Sequence, residues 1–499
     1  MRRATRRLLV LTVVLLLPAL VAPARAETAA RRFAAYDRAL ARDAARLAAA
    51  RARAHGGVQA PAASAAPAAA ARVLTARQIS RDTLPPQPGS EPDTQAEPDI
   101  AVDPRDPRIV VAVFQQGRFP DGGSVDPGFA SSHDGGFTWR HGNLPNLTTA
   151  VGGEFPRASD PVVAFGPDGA VYAQTLVVDL DICRSGVAVQ RSDDGGRTFG
   201  DPVLVQDDTD CSVFNDKNWL AVDTFPGSPH RGRLYSVWDR SDPVGQPQVL
   251  RFSDDRGRTW SPLVNVSPPA SLTVGAQPVV QPNGRLTNVY LDFTTFEAVR
   301  TVARTSSDGG RTFGPERDVG VNLGGEPADM RTGVLPAATV DRVTGRLHVV
   351  WQDLRFRPDG LNDVVIVSSP DGQSWSAPRR VNREPPRNRL DHLTPDVAAY
   401  GGKVFVTYRT RSNRGGPSRF VGMRAIASSN GGRSFAGELR LGPPTNLDFA
   451  ALAPVAFLGD YMGVAAGARR VYPAWNVASR PPDPVARFHQ TTWAAVIRP

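Results

Sequence analysis

The sequence predicts an all-β protein, a seven-bladed β-propeller that follows a short helical extension. Three observations predict it. An octapeptide recurs six times at nearly constant spacing. A longer element of alternating apolar residues recurs seven times with a similar period. The residues ahead of both repeats are rich in Ala and Arg and have the pattern of an amphipathic helix.

Residues 1–26 predict a secretory signal peptide. Arginines precede an apolar run from Leu8 to Val21, and Ala24-Arg25-Ala26 fits a small-residue cleavage site. The run is too short, with its flanks, for a membrane-spanning helix. We therefore expect a secreted or periplasmic protein with no transmembrane segment after cleavage. An uncleaved membrane anchor is the alternative.

Residues 27–71 predict an Ala- and Arg-rich helix followed by a linker. Phe33, Tyr36, Leu40 and Leu47 fall near heptad spacing within 27–54. Residues 56–71 contain almost only Gly, Pro, Ala and Ser, a composition typical of linkers.

The net charge of +9 lies wholly in this N-terminal part. Of 58 Lys and Arg residues, 12 lie in residues 1–71, and of 49 Asp and Glu residues, 3 do. Residues 72–499 are therefore formally neutral. The high isoelectric point of the chain thus gives no reason to expect a propeller that binds nucleic acid or a membrane.

The octapeptide reads SDDGGRTF at 192–199. Edited copies lie at 132–139, 253–260, 306–313, 369–375 and 428–435. Their third positions are spaced by 60, 61, 53, 63 and 59 residues and are Asp134, Asp194, Asp255, Asp308, Asp371 and Asn430. A fixed period of this size predicts a repeat architecture.

The composition of the octapeptide predicts a hairpin turn and not a reaction centre. Asp or Asn at the third position can accept backbone N–H groups a few residues on. The following glycines allow positive φ where the chain reverses. The final Trp or Phe supplies an apolar anchor. We therefore assign these aspartates a structural role in the turn and not a catalytic role.

These octapeptides resemble the Asp boxes, or BNR repeats, of the sialidase superfamily of β-propellers. The form S-x-D-x-G-x-T-W/F is complete in four copies and degraded in those at 369–375 and 428–435. The resemblance implies a propeller fold, which in sialidases has six blades. It implies little about activity, because Asp boxes also occur in propellers that hydrolyse nothing.

The second repeat predicts seven four-stranded units in residues 72–499. Each unit has a short apolar strand, a turn and a longer strand, and the units are spaced by 63, 58, 59, 58, 59 and 59 residues when aligned on Pro98, Pro161, Trp219, Pro278, Pro336, Pro395 and Pro454. The seventh unit ends after its third strand. We expect residues 72–80 to supply its fourth strand and close the ring, since closure leaves no bare edge.

Cys183 and Cys211, the two cysteines of the chain, are predicted to form a disulfide. They lie in loops at one face of the propeller, and an exported protein meets an oxidising compartment. Two separate buried thiols are the alternative. No CxxC, HExxH or EF-hand spacing occurs, so we expect no metal and no cofactor.

Candidate ligand-binding residues lie on one face, here called the near face, where inner strands begin and where second strands connect to third strands. Aromatic, Asp and Arg side chains there suit sugars, because aromatics stack, carboxylates bind hydroxyls and Arg pairs with acid groups. The near-face set is Asp99, Arg118, Arg157, Asp160, Asp216, Lys217, Asn218, Asp239, Arg240, Asp292, Glu297, Arg331, Asp353, Arg355, Asp391, His392, Arg409, Arg411, Asp460 and Tyr461.

The resemblance to sialidases implies a stricter set of roles. That family clamps a substrate carboxylate with three Arg and uses a Tyr nucleophile with a carboxyl acid/base. Here we expect Tyr461, Asp460 and Asp353 to be catalytic, and Arg240, Arg355 and Arg409, with Asp239 and Arg411, to bind substrate. The family's Phe/Tyr-Arg-Ile-Pro motif is absent; the nearest string is GRFP at 117–120.

Together these features predict a secreted, monomeric, sialidase-like propeller that acts on glycans, with an exo-acting glycoside hydrolase as the activity that the resemblance implies. The first alternative is a non-catalytic propeller that binds carbohydrate or protein. The second is an extracellular scaffold without a ligand. We expect a glycan or glycoconjugate as partner, and no nucleic acid.

Overall fold

The computed structural model describes residues 71–295, 298–385 and 387–499, and this part of the chain is all β. It contains 31 strands and two 3₁₀-helical turns, Thr149–Val151 and Leu447–Phe449. The predicted signal peptide, the predicted helical extension and Glu297 lie outside the described residues. Within the described ranges, neither helical turn approaches the length and apolarity needed to cross a membrane.

The largest sheet has twelve strands drawn from both ends of the described chain. From the N-terminal side come β1 (Arg72–Gln78), β2 (Glu91–Val102), β3 (Val110–Arg118), β4 (Ser124–Ser132), β5 (Arg140–Asn143), β6 (Arg157–Phe165), β7 (Val171–Asp179), β8 (Arg184–Ser192) and β9 (Val203–Asp208). From the C-terminal side come β29 (Gly463–Ala466), β30 (Val471–Ala478) and β31 (Gln490–Arg498).

Four sheets of four antiparallel strands follow one another between these two parts. The first two sheets consist of β10 (Phe214–Val222), β11 (Leu234–Ser241), β12 (Gln248–Ser253) and β13 (Val264–Asn265), and of β14 (Thr273–Val280), β15 (Leu286–Asp292), β16 (Arg300–Ser306) and β17 (Arg317–Val321). The next two consist of β19 (Ala337–Val340), β20 (Leu347–Asp353), β21 (Asp363–Ser369) and β22 (Arg379–Arg380), and of β23 (Leu390–Tyr400), β24 (Lys403–Ser412), β25 (Phe420–Ser428) and β26 (Ala436–Asn446). A small sheet joins β18 (Met330–Arg331), β27 (Ala451–Leu452) and β28 (Ala456–Phe457).

The predicted number of blades is wrong. Counted as large hydrogen-bonded sheets, the propeller has five blades, one of twelve strands and four of four, and not seven or six. The reason is that single residue pairs, Thr94 with Gln490 and Ser124 with Ala158, join neighbouring four-stranded groups into the twelve-stranded sheet. A sequence repeat counts four-stranded groups and does not show which of them share hydrogen bonds.

The two ends of the described chain lie side by side in the twelve-stranded sheet. β1 pairs with β31 in antiparallel register, from Arg72 opposite Arg498 to Gln78 opposite Trp493. Val73 and Ala76 of β1 pack against the apolar cluster that contains Trp475. This pairing covers the outer edge of β31, which would otherwise expose unpaired backbone groups.

The apolar cores lie between neighbouring four-stranded groups. One cluster packs Val350 and Ile366, from β20 and β21, against Val397, Val404 and Tyr408, from β23 and β24. The second strands of the groups, such as β7 and β20, are almost wholly buried, and apolar residues make up more than half of each.

The octapeptide turns share one hydrogen-bond pattern, which the copy at 192–199 illustrates. Asp194 Oδ1 accepts the backbone N–H groups of Arg197 (2.9 Å) and Thr198 (3.0 Å), and Oδ2 accepts the Thr198 hydroxyl (2.7 Å). The Ser192 hydroxyl accepts the N–H of Gly196 (2.9 Å). Gly196 has φ +78°, and a Cβ there would lie 2.6 Å from Val111. The turn thus closes on itself while packing against the preceding group.

Candidate active site

Three charged residues occupy equivalent positions at the start of neighbouring inner strands. Glu97, Asp160 and Lys217 have φ of 51°, 46° and 48°. Each lies where the pairing of β2, β6 or β10 with its next strand shifts register. Gly275 and Thr394 occupy the same place in β14 and β23. A left-handed residue at a bulge turns its side chain out of the strand alternation, and each such non-glycine residue costs roughly 1–3 kcal/mol.

The ammonium group of Lys217 is the centre of the cluster that these residues form. Its Nζ lies 3.0 Å from Asp460 Oδ2, 3.4 Å from Asp160 Oδ1 and 3.7 Å from Glu97 Oε1. All four side chains are at most 9% exposed. One buried ammonium group therefore lies within 4 Å of three carboxyl groups, which come from three distant parts of the chain.

Asp460 is held from a second side by Arg331. Arg331 Nε donates to Asp460 Oδ1 at 2.8 Å, and Nη2 donates to Oδ2, in a bidentate pair. The segment before Asp460 is fixed by Arg409, which donates to the carbonyls of Leu458 (2.6 Å) and Gly459 (3.1 Å). The position of Asp460 is thus set by two buried guanidinium groups.

The carboxyl groups of the cluster differ in protonation. Burial raises the pKa of Glu97 to about 8, against the attraction of Lys217. Burial likewise raises the pKa of Asp216 to about 7. Burial alone would raise the pKa of Asp160 and Asp460, but Lys217 outweighs it at Asp160, and Arg331 and Lys217 outweigh it at Asp460, so that both pKa values are lowered. At neutral pH, Glu97 keeps its proton while Asp160 and Asp460 are ionised.

A cleft of about 660 Å³, counted with the solvent at its mouth, opens beside this cluster on the near face. Its apolar lining residues include Leu176, Val178, Leu180 and Phe214. Its charged lining residues are Glu97, Arg118, Asp121, Arg157, Asp160, Asp216, Lys217 and Arg331. The cleft therefore combines apolar surface with four cationic side chains.

Arg118 is the least neutralised of these cations. It is 4% exposed, and among the described residues no carboxylate forms an ion pair with it. Its Nη1 donates to Gln115 Oε1 at 2.7 Å, while its Nε has no hydrogen-bond partner in the described part of the chain. Its guanidinium lies 4.1 Å from the ring centroid of Phe457, over which Arg331 also lies at 5.1 Å.

The predicted disulfide is present, in chain segments next to two lining residues of this cleft. Cys183 and Cys211 are bonded, with their Cα atoms 4.8 Å apart. Cys183 follows Leu180 in the loop after β7, and Cys211 precedes Phe214 at the start of β10. The bond therefore joins the loop that carries Leu180 to the segment that leads into Phe214.

The predicted catalytic residues lie in two places. Asp460 is in the central cluster, and Tyr461 is next to it. The Tyr461 hydroxyl donates to the Pro161 carbonyl at 3.1 Å, and its ring contacts Trp219 edge to face at 5.3 Å. Burial raises the pKa of Tyr461 well above its usual range. Asp353 is buried elsewhere, where it accepts hydrogen bonds from Arg355 and from the Trp351 indole.

The predicted substrate-binding residues have separate protein partners. Arg240 pairs with Asp208 (3.0 Å), Arg355 with Asp353 (2.7 Å) and Arg411 with Asp329 (2.7 Å). Arg409 donates to backbone carbonyls, as described above, and Asp239 accepts from Gln246 (3.1 Å). The contacts of Arg240, Arg355 and Arg409 thus go to three different groups.

The arginines that line the cleft are instead Arg118, Arg157 and Arg331, all members of the near-face set. Glu97 and Phe457 are absent from that set. Alignment of the repeats on Pro98 and Pro161 places Glu97 beside Asp160, so the spacing contained a signal for Glu97. No repeat position marks Phe457, which lies in the small sheet of β18, β27 and β28.

Comparison with known proteins gives matches among solved structures alone: no protein-family model matches the chain, and no curated protein does. The chain is similar to an intramolecular trans-sialidase from Ruminococcus gnavus, at 15% identity over 64% of this chain and 90% of that one, with a TM-score of 0.42. It is similar to an α-L-arabinanase from Penicillium chrysogenum, at 13% identity over 85% and 98%, with a TM-score of 0.45. It is also similar to a protein of unknown function from Dyadobacter fermentans, at 14% identity over 86% and 99%, with a TM-score of 0.43.

Proposed function

We propose that the protein is a glycan-acting hydrolase of the sialidase-like type, which binds an acidic sugar in the near-face cleft and cleaves the bond to it in an exo fashion. The observation that supports this most directly is the state of Arg118. A buried guanidinium with an unused donor and no ion-pair partner among the described residues is unfavourable unless a ligand completes it. An anionic group of the substrate would do so.

The ligand class follows from the composition of the cleft. Arg118 presents a planar guanidinium group with an unused donor, and such a group binds a carboxylate in a bidentate way. Arg157 and Arg331, which line the cleft beside it, already pair with Asp121 and Asp460. The apolar lining residues Leu176, Val178 and Phe214 suit the non-polar face of a sugar ring. A carboxylated sugar can contact both kinds of lining residue.

The chemistry follows from the two protonation states. Glu97 carries a proton at neutral pH and lines the cleft, so it can transfer that proton to the glycosidic oxygen as the bond to the anomeric carbon breaks. Ionised Asp160, beside Glu97, stabilises the positive charge that develops at the anomeric carbon; water then adds its oxygen to that carbon and releases a proton to solvent, from which Glu97 is reprotonated. We assign the attack to water and not to Tyr461, because burial raises the pKa of that phenol.

The test is turnover of a fluorogenic sialoside and a panel of aryl glycosides, including glucuronides, over a range of pH. We expect cleavage of an acidic glycoside that declines as pH rises through about 8, the pKa of Glu97, because the proton donor is then lost. Glu97→Gln should lower kcat roughly 10²–10⁴-fold and remove this decline.

A matched pair of arginine variants locates the substrate. Arg118→Ala should raise KM for the acidic glycoside, while Arg240→Ala, which removes an arginine paired with Asp208 outside the cleft, should not. The reverse result would reject the cleft and favour the clamp predicted from the sequence.

The second candidate is a propeller that binds acidic glycans without cleaving them. It is favoured by the ion pairs that Lys217 and Arg331 already make with the carboxylates, since a network satisfied by protein groups is typical of a rigid framework. Binding of acidic glycans on an array, lost in Arg118→Ala, together with no turnover of any glycoside, would establish this function instead of hydrolysis.

A further inference from the structure

Four exposed arginines form a second charged feature on the near face, outside the cleft. They are Arg383, Arg387, Arg389 and Arg414, here called the rim arginine surface. The first three lie in the loop between β22 and β23, and Arg414 lies in the loop between β24 and β25. The cleft is lined by loops in the same positions of other four-stranded groups, so both features lie at the same end of the strands.

Hydrogen bonds hold the two loops against each other. Asn413 N–H donates to the Arg389 carbonyl at 2.7 Å, and Arg389 Nη2 donates to the Asn413 carbonyl at 3.2 Å. Arg414 Nε donates to the Asn388 carbonyl at 3.4 Å. Arg389 has a φ of 63°, a strained conformation that these contacts maintain. Arg389 and Arg414 are thus held next to each other on one surface.

The rim arginine surface differs from its surroundings in lacking counter-charges. None of its four side chains forms an ion pair with a carboxylate of the described residues, whereas neighbouring Arg411 and Arg419 pair with Asp329 and Asp448. Because residues 72–499 are formally neutral, four unpaired positive charges are a local excess and not part of a generally basic surface. Like charges held together repel each other, and bound anions relieve this.

We propose that the rim arginine surface binds an acidic polysaccharide chain, whose carboxylate or sulfate groups repeat along the polymer. Guanidinium groups bind both anions in a bidentate way. A disulfide-bonded protein belongs to an oxidising compartment, where acidic polysaccharides are the polyanions at hand. This inference rests on the proposed function in one respect, since the polymer would be the extension of the glycan that enters the cleft.

The test is binding of the full chain to immobilised polygalacturonate and dextran sulfate, with neutral dextran as the reference. One quadruple variant replaces Arg383, Arg387, Arg389 and Arg414 by Ala. The matched control replaces Arg197, Arg258, Arg311 and Arg433 by Ala, which removes the same charge from exposed octapeptide turns on the opposite face. Both keep the Arg-rich residues 1–71, so any binding by that segment cancels.

We expect the rim variant to bind the acidic polymers about tenfold more weakly than the wild type, since single exposed pairs contribute little and four act together. The control should stay within about twofold, and added salt should remove the difference. Equal losses in the two variants, or no loss in the rim variant, would overturn the inference. Tighter binding of duplex DNA or of anionic phospholipid vesicles at the same salt concentration would overturn the choice of partner.

Small aryl glycosides separate this inference from the proposed function, because they occupy the cleft alone. The rim variant should turn them over like the wild type, and Arg118→Ala should lose less polymer binding than the rim variant does. Polymer binding without turnover would reject hydrolysis and leave the rim arginine surface standing. Turnover without polymer binding would reject the rim arginine surface as a binding site and support hydrolysis.

Discussion

Replacing Asp194 by Ala tests the physical role of the octapeptide turns. The carboxylate accepts two backbone N–H groups and two hydroxyl groups, from Ser192, Arg197 and Thr198. Partial burial would raise the pKa of Asp194, but these hydrogen bonds outweigh it and lower the pKa from 3.8 to about 2. The charged form is therefore the one that the folded turn stabilises.

The size of the effect follows from this shift. Converted in full, a fall from 3.8 to about 2 corresponds to about 2.4 kcal/mol. The side chain is partly open to solvent, which screens the interaction, so we expect Asp194→Ala to lower the free energy of unfolding by about 1 kcal/mol. Because the folded-state pKa is depressed, this contribution is complete above pH 3.8 and disappears as pH falls through about 2.

The chain contains its own comparison for this experiment. In the copy at 428–435, Asn430 Oδ1 accepts the Ser434 N–H (3.0 Å), and Asn430 Nδ2 donates to the Ser434 hydroxyl (2.8 Å). Asp194→Asn should therefore keep most of the turn and lose less stability than Asp194→Ala, with no dependence on acid pH. Equilibrium urea unfolding at pH 7 and pH 3 measures both variants.

Asp193→Ala is the charge-matched control, since its exposed carboxylate pairs with Arg191 and Arg256 and closes no turn. It should change stability by less than about 0.5 kcal/mol. Unfolding of Asp194→Ala that coincides with the wild type, or an Asn variant as unstable as the Ala variant, would refute the reasoning.

Three further predictions concern the rest of the molecule. Replacing Cys183 and Cys211 by Ser should lower the free energy of unfolding by about 3.6 kcal/mol, the loop-entropy value for a separation of 28 residues, as measured in urea. Lys217→Met should lower it by about 3–5 kcal/mol, because buried carboxylates lose their cation, and the loss should shrink in acid as they take up protons. Deleting 72–78 should lower the melting temperature, because β31 loses its outer neighbour.

Each of these three predictions has its own contrary result. Dithiothreitol should destabilise the wild type and leave the Ser variant unchanged; destabilisation of both would mean that the bond is not the cause. A stable Lys217→Met protein at pH 7 would show that the carboxylates do not need the ammonium group. Melting of the deletion variant at the wild-type temperature would show that β1 is dispensable.

The class of the fold could be predicted from the sequence, but the grouping of its strands into hydrogen-bonded sheets could not. The spacing of the octapeptides predicts repeated antiparallel hairpins, because Asp, Gly and an aromatic residue in that order specify a turn with an anchor. Whether neighbouring groups share hydrogen bonds depends on single contacts such as Thr94 with Gln490. Such contacts depend on how far adjacent groups splay apart, which no local pattern records.

The candidate site could be predicted only in part, for a similar reason. Asp460 and Lys217 could be placed on the near face from the order of strands, but they are 243 residues apart and their contact is a property of the closed ring. The side chains of Glu97, Asp160 and Lys217 point where they do because each residue lies at a bulge with positive φ. Glycine is the residue usually expected in that conformation, so the sequence does not reveal these bulges. Arg240 and Arg355 are at strand ends as expected, yet nearby carboxylates bind them.

The pairing of β1 with β31 has a consequence for biosynthesis. β1 cannot pair with β31 until residues 490–498 have been made, and at roughly 5–20 residues per second the residues between the two strands take roughly 20–90 s to synthesise. During that interval the nascent chain exposes β1 as an unpaired strand. We therefore expect chaperones to bind β1 during synthesis. We also expect folding to be sensitive to a tag fused next to β31.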